Sequence, residues 1–289
     1  MRLANIRHAV PAILLVIGAL FSAKADSAPQ HVVSTSLCTD EYVFRMVSRE
    51  NIAALSFLAG DKNPVVSTIA DKVHGIPLIH PSAEVILSRR ADLVVMFQGS
   101  DPRLHAQLKA AHVPVLDMPG ANSIAEIRAI TQMMGNALGA PERARAMIAK
   151  MDREIAEVHA TSINPPVQAL IYEPNGYATT GGVTDEMMTL GGLLNMAPKL
   201  HQTRMGTVPV ESVVAGKLEL LILKGEHKRT PTRADLILRH PALRLLREAT
   251  EVAGADLKPL LCPGPWSVAA AREFQELGLR ARKLARNRP

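Results

Sequence analysis

Short aliphatic runs alternate with amphipathic stretches along most of this chain. HVVSTS (31–36), NIAALS (51–56), ADLVVMF (91–97) and VPVLDM (113–118) predict short strands, rich in Val, Ile and Leu. Between them, TDEYVFRMV (39–47) behind a Thr39 cap, SAEVILSRR (82–90) behind a Ser82 cap, RLHAQLKAAH (103–112) and SIAEIRAITQMMGNALG (123–139) carry helical apolar spacing, the last stopped by Gly139. Residues 60–81 are polar and contain proline, and they predict a loop-rich segment. Strands alternating with helices predict an α/β fold, with a mostly parallel sheet covered on both faces.

The pattern changes at PERARAMIAKMDREIAEVHA (141–160). Pro141 suits a first helical turn. Ala144, Ile148, Met151, Ile155 and Val158 fall on one face, and Arg145, Lys150, Asp152, Arg153 and Glu157 on the other. About 20 residues at 1.5 Å each make a rod of about 30 Å. The strand–helix alternation restarts directly after it, so the rod is expected to be a stiff connector. VQALIYEPNGYATTGG (167–182) is a strand entering a Gly-rich loop. TDEMMTLGGLLNMA (184–197) is a helix capped by Thr184 and stopped at Gly191-Gly192. PTRADLILRHPALRLL (231–246) is helical with a break at Pro241, TEVAG (250–254) is a weak strand, and SVAAAREFQELGLRARKLARN (267–287) is a closing helix. The expectation is two α/β lobes, residues 31–140 and 165–289, each with a central mostly parallel sheet, joined by a single long helix over 141–162.

One unit occurs twice. SAEVILSRRADLVVM (82–96) and PVESVVAGKLELLIL (209–223) both run from a glutamate through a short helix to a basic residue, an acid and an aliphatic run. Glu84 aligns with Glu211, Arg90 with Lys217 and Asp92 with Glu219. Each copy falls in its own lobe.

Composition narrows the task. The 47% of hydrophobic residues is enough for buried cores. Residues 1–25 start basic (Arg2, Arg7), continue apolar from Ala9 to Phe21 and end on Ala23-Lys24-Ala25, the parts of a cleavable secretory signal. The apolar run is shorter than the roughly 20 residues that span a bilayer. Asp26 stands where a lipid-anchored form would need cysteine, so a free periplasmic protein is expected. Losing Arg2, Arg7 and Lys24 lowers the formal charge from +6 to about +3, a mild excess that argues against nucleic acid as partner. Two cysteines, Cys38 and Cys262, could pair in an oxidising compartment, but sequence does not set their distance.

At this point VVSTSLCTDE (32–41), SAEVILSRRADLVV (82–95), PERARAMIAKMDREIAEV (141–158), TTGGVTDEMMTLGGLLNMA (179–197) and VPVESVVAGKLELLIL (208–223) together resemble the periplasmic substrate-binding proteins of ABC importers for iron complexes, haem and cobalamin. That resemblance implies two lobes on one helical backbone, no enzymatic activity, no cofactor, a monomer, and a metal chelate as ligand. Cobalamin or a ferric siderophore is favoured over haem by the LCTDE start and the CPGPW loop. It also implies that Glu84 and Glu211 meet basic residues of the ABC permease dimer in the inner membrane; a carboxylate at a helix N-terminus is favoured there by the macrodipole.

Ligands of open α/β sheets gather beyond the carboxyl ends of the strands. The loops there supply Cys38, Thr39, Phe97 and Gln98 from the first lobe, and Tyr177, Lys224, His227 and Trp266 from the second, as ligand-binding candidates. Tyr177 suits stacking, since its loop glycines leave it little local core. Lys224, His227, Lys228 and Arg229 would attract an anionic chelate unless they form a solvated turn. Trp266 could equally pack its own lobe's core. For haem, an iron ligand could come from His80, Tyr177 or His227. A cross-lobe disulfide or metal contact at Cys38 and Cys262 is conceivable, but two free thiols or unrelated cleft residues are the expectation. Among rivals, P-loop, nucleophile-elbow and zincin motifs are absent from the sequence. Ten scattered histidines make a free zinc or manganese receptor a weaker alternative, and a periplasmic sensor module is the other.

Overall fold

The computed structural model describes residues 28–63, 66–200, 206–224 and 232–287. The proposed signal segment and His227, Lys228 and Arg229 lie outside them.

Two sheets form, and every strand pairing in both is parallel. The first holds β1 (Val32–Ser34), β2 (Ile52–Ser56), β3 (Leu78–Ile79), β4 (Leu93–Phe97) and β5 (Val115–Met118), in the order β3-β2-β1-β4-β5. Its helices are α1 (Leu37–Met46), α2 (Ala83–Ser88), α3 (Pro102–Ala110) and α4 (Ile124–Ala137). Then comes α5 (Pro141–Ala160). The second sheet holds β6 (Val167–Tyr172), β7 (Leu193–Asn195), β8 (Leu220–Leu223) and β9 (Glu251–Ala253), in the order β7-β6-β8-β9. With it go α6 (Gly182–Leu190), α7 (Ala197–Leu200), α8 (Val210–Ala215), α9 (Pro241–Leu245), α10 (Lys258–Leu261) and α11 (Val268–Arg286). The second sheet thus repeats the order of the first without a counterpart of β3.

Helix α5 is a shared element. Ala144 and Met147 near its start pack into the core of the first lobe beside Tyr42, Met134 and Met118. Met151, Ile155 and Val158 further along pack with Val183, Met187 and Phe274 of the second. Its single apolar stripe therefore serves two cores in succession. Gly135 of α4 lets α5 approach closely: a Cβ there would lie 2.3 Å from the Ala144 Cβ and 3.2 Å from the Ala140 carbonyl oxygen.

The internal repeat has a common local geometry. Glu84 and Glu211 are each the second residue of a six-residue helix, and both are exposed. Arg90 and Lys217 each follow their helix with positive φ, 53° and 48°, which turns the chain sharply into the next strand. Asp92 then accepts hydrogen bonds from the backbone N–H of Gln30 (2.7 Å) and His31 (3.0 Å), at the approach to β1. Glu219 accepts one from the N–H of Gln168 in β6 (2.9 Å). In both copies the acid ties the incoming strand to the strand it pairs with.

Several local expectations need correction. The N-cap of α1 is Ser36, and Thr39 sits inside the first turn. Helix α6 starts after Gly181, before Thr184, because Gly181 and Gly182 adopt positive φ (79° and 63°) and set the turn there. The helix stops at Leu190 with Gly191 as its C-cap, as expected, but the residues after the glycine pair, Leu193–Asn195, form strand β7, which was not expected. The segment Arg233–Arg239 is 3-10 helix, ended by the His240–Pro241 turn. Within the loop-rich 60–81 stretch, Leu78–Ile79 forms the edge strand β3.

Candidate ligand-binding site

The carboxyl ends of the two sheets are brought together by contacts between their loops. Ile124, the first residue of α4, donates its backbone N–H to the Glu186 carboxylate on α6 (2.6 Å). A Cβ on Gly182 would lie 3.9 Å from the carbonyl oxygen of Asn122. Cys38 in α1 is bonded to Cys262, after α10, as a disulfide. The loops after β1 and β5 thus meet those after β6 and β9, and a ligand entering between the sheets would touch both lobes.

In the first lobe, Phe97 ends β4 half-buried and Gln98 follows it exposed. Beside them lies a cavity of about 230 Å³, lined by Phe97, Gln98, Ser100, His105 and Asp117 among others; His105 and Asp117 are 3.1 Å apart. At the ends of β2 and β3 the rings of Phe57 and His80 stack 4.1 Å apart at 27°, and both residues are exposed. Phe57 was missed by sequence reasoning, although, like Phe97 at the end of β4, it stands at the carboxyl end of an aliphatic strand, directly after β2.

Thr39 is fully buried. Its hydroxyl lies 2.7 Å from that of Ser34 and donates to the Ser36 carbonyl at 2.9 Å, so it closes the turn at the start of α1. Next to it Asp40 is also fully buried and accepts from the Ser56 N–H (3.0 Å) and hydroxyl (2.5 Å), joining α1 to the end of β2. Burial pushes the Asp40 carboxyl up from 3.8 to about 7; hydrogen bonds from Ser34 and Ser56 oppose the rise, and the neighbouring Glu41 charge adds to it.

In the second lobe, Tyr177 is 40% exposed, in the loop after β6. That loop is held by backbone bonds, the Val208 N–H to the Gly176 carbonyl (2.8 Å) and the Ala178 N–H to the Gly206 carbonyl (2.9 Å), and beside it the Tyr172 hydroxyl donates to the Val208 carbonyl at 2.8 Å. Burial, with a smaller contribution from the Glu211 charge, raises the Tyr172 phenol to about 12. Lys224 follows β8 with its ammonium 2.7 Å from the Glu173 carboxylate, which also accepts from the Thr179 hydroxyl. The lysine charge is therefore already offset within the lobe, and its expected pull on an anionic ligand is correspondingly weaker.

Two expectations about the second lobe's final loop are corrected. Cys38 and Cys262 form a disulfide rather than two free thiols, so neither offers a thiolate to a metal. Trp266 does not pack in its own lobe's core. It lies edge-on to Tyr42 of α1, with ring centroids 4.9 Å apart, and beneath the Arg45 guanidinium. Among the described residues, no group of three His, Cys, Asp or Glu side chains is placed to hold a metal ion, and no helix is long and apolar enough to cross a membrane.

Two all-parallel sheets on one shared helix, with their carboxyl-end loops facing, define a two-lobed solute-binding architecture. The model of a periplasmic binding protein family matches residues 66–251, and the chain belongs to that family. Its solved structural neighbours include periplasmic haem-binding proteins. RhuT of Roseiflexus sp. RS-1 has 21% identity and a TM-score of 0.68, covering 88% of this chain and 99% of its own. HutB of Vibrio cholerae has 16% identity and a TM-score of 0.69, covering 86% and 99%. The vitamin B12 binding protein BtuF of Vibrio cholerae has 16% identity and a TM-score of 0.62, covering 88% and 98%. No curated protein matches the chain in sequence.

Proposed function

We propose that the mature chain is the periplasmic solute-binding component of an ABC importer. It takes a metal chelate, a corrinoid such as cobalamin or a ferric siderophore, between its lobes and hands it to a permease dimer. The observation that carries this reading is the pairing of two sheets, carboxyl end to carboxyl end, with an exposed glutamate at the same helical position in each lobe. Phe97, Gln98 and Tyr177 would contact the ligand, and Glu84 and Glu211 the permease, where pairs with arginine would be charge-assisted. The protein acts as a secreted monomer, released from a leader within residues 1–25.

Haem is the second reading. The exposed Phe57–His80 stack offers a flat tetrapyrrole an aromatic face and an imidazole, and haem-binding proteins are among the structural neighbours. Calorimetric titration of the mature protein with haem, cyanocobalamin and ferric hydroxamate and catecholate chelates separates the readings. Saturable one-site binding of a corrinoid or siderophore supports the first. Haem binding that is lost in His80→Ala supports the second. Binding of none of them refutes both.

A further inference from the structure

The chain passes between the lobes along α5, and the disulfide provides a second covalent crossing. Cys38 and Cys262 lie 224 residues apart in sequence. Cys38 belongs to the first turn of α1, and Cys262 to the segment joining α10 to α11. The loop that carries Cys262 is seated against α1 by further contacts. The Tyr42 hydroxyl lies 3.5 Å from the Pro263 carbonyl oxygen. The Arg45 guanidinium lies 4.2 Å from the centre of the Trp266 ring, a cation–π contact. Trp266 donates its indole N–H back to the Cys262 carbonyl at 3.0 Å, which fixes the ring relative to the disulfide.

Arg45 is itself held in place. It pairs with Glu41, a carboxylate buried within α1 that also accepts from the Thr68 N–H (3.1 Å) and hydroxyl. The turn Pro265–Ser267 packs on α4 and α5, so the whole assembly sits beside the connecting helix. The disulfide, the Tyr42–Pro263 and Arg45–Trp266 contacts and the packing on α4 each join a residue of 262–267 to the first lobe, so the segment is a foot of the second lobe planted on the first.

We infer that the Cys38–Cys262 disulfide, with Trp266 clamped between Arg45 and Tyr42, is a second strut that fixes the base of the cleft and restricts bending of the lobes about α5. A single helix joining two bodies resists stretching but leaves bending and twisting open. A second attachment beside it removes most of both. The loops after β1 and β9 are then held at constant spacing. A cleft preformed in this way suits a bulky, rigid ligand, since less ordering is required on binding.

Trp266 is the only tryptophan in the chain, so its emission reports on the strut directly. The mature protein would be compared oxidised, reduced with dithiothreitol, and as the Cys38→Ser/Cys262→Ser variant, by small-angle scattering and by acrylamide quenching of Trp266. Reduction breaks the S–S bond to two thiols as the reagent closes to its cyclic disulfide, so nothing else in the protein needs to change. The expected result is a broader distribution of dimensions, a red-shifted emission and a larger quenching constant in both cleaved forms, with far-UV circular dichroism unchanged. Arg45→Met, which keeps the disulfide, should raise the quenching constant and leave the dimensions alone. Identical scattering and quenching in all forms would overturn the strut. Loss of the far-UV signal in both cleaved forms would overturn it too, assigning the disulfide to overall stability. No ligand enters these measurements, so their failure leaves the proposed transport role standing, and a protein that binds none of the chelates leaves the strut standing.

Discussion

Replacing Asp40 by Asn should change how stability depends on pH, and the structure gives the size of the effect. Asp40 is fully buried at the junction of α1 and β2, and its carboxyl is pushed from 3.8 up to about 7, chiefly by loss of water. Between those values the folded chain holds a proton that the unfolded chain has released. Folding stability contributed by this group is therefore complete below 3.8 and is lost as pH rises through the window towards 7. At about 1.4 kcal/mol per unit, the full loss is about 4 kcal/mol, of which about 3 kcal/mol falls between pH 5 and 8. Asparagine has no charge to bury. Its carbonyl can accept from the Ser56 N–H and its amide can donate to the Ser56 hydroxyl, so the local hydrogen bonds survive. Urea unfolding of both proteins, followed by far-UV circular dichroism from pH 5 to 8, provides the assay. The difference curve cancels histidines and other carboxylates common to both chains. Asp40→Asn should gain on the native protein by about 3 kcal/mol across that range. A flat difference would show that Asp40 ionises normally and that the account of its burial is wrong.

Other substitutions test the packing and the proposed roles. Gly135→Ala places a methyl against Ala144 and the Ala140 carbonyl, and should cost about 1–3 kcal/mol; an unchanged melting temperature would refute the close approach of α4 and α5. Glu219→Ala removes a partly buried carboxylate that pairs with Arg282 and accepts from the Gln168 N–H, for a loss of about 1–3 kcal/mol. Asp92→Ala, its exposed counterpart, should cost less, about 1 kcal/mol or under, and the reverse ranking in chemical denaturation would contradict the burial argument. Glu84→Ala and Glu211→Ala should each lower ligand uptake about tenfold at unchanged ligand affinity. Normal transport in both would remove the docking role.

What the sequence revealed followed from side-chain pattern, and what it concealed depended on distance. LVVM and LLIL are legible as strands because a strand buried on both faces needs an unbroken aliphatic run. The stripe of α5 is legible for the same reason, although nothing in its period tells that Ala144 and Val158 enter different cores. Strand β3 escapes notice because two residues, one of them the exposed Leu78, carry no period. The Gly191-Gly192 stop is legible, but strand β7 after it is hidden because LLN is three residues long and carries no period of its own. Tyr177 and Gln98 are legible as loop residues beyond a strand's carboxyl end, which is where they lie. The disulfide, the Glu186 contact and the burial of Asp40 join residues remote in sequence or sit within a run, TDE, whose acids look solvated.

The repeated unit and the strut act on different parts of the same problem. The repeat sets each lobe from within: the positive-φ residue turns the helix into its strand, and the acid after it ties that strand to its neighbour. The leading glutamate takes no part in either task. It lies exposed at the second helical position in both copies, so the unit's internal geometry does not require a carboxylate there. The macrodipole favours an acid in a first helical turn without requiring one; under the proposed docking role the pair would face one partner, and two such residues on separate lobes have a fixed spacing only if the lobes do. The strut and α5 together would supply that spacing. Glu84 and Glu211 can then act as a matched pair towards one partner, and loosening the strut should weaken docking without touching either glutamate.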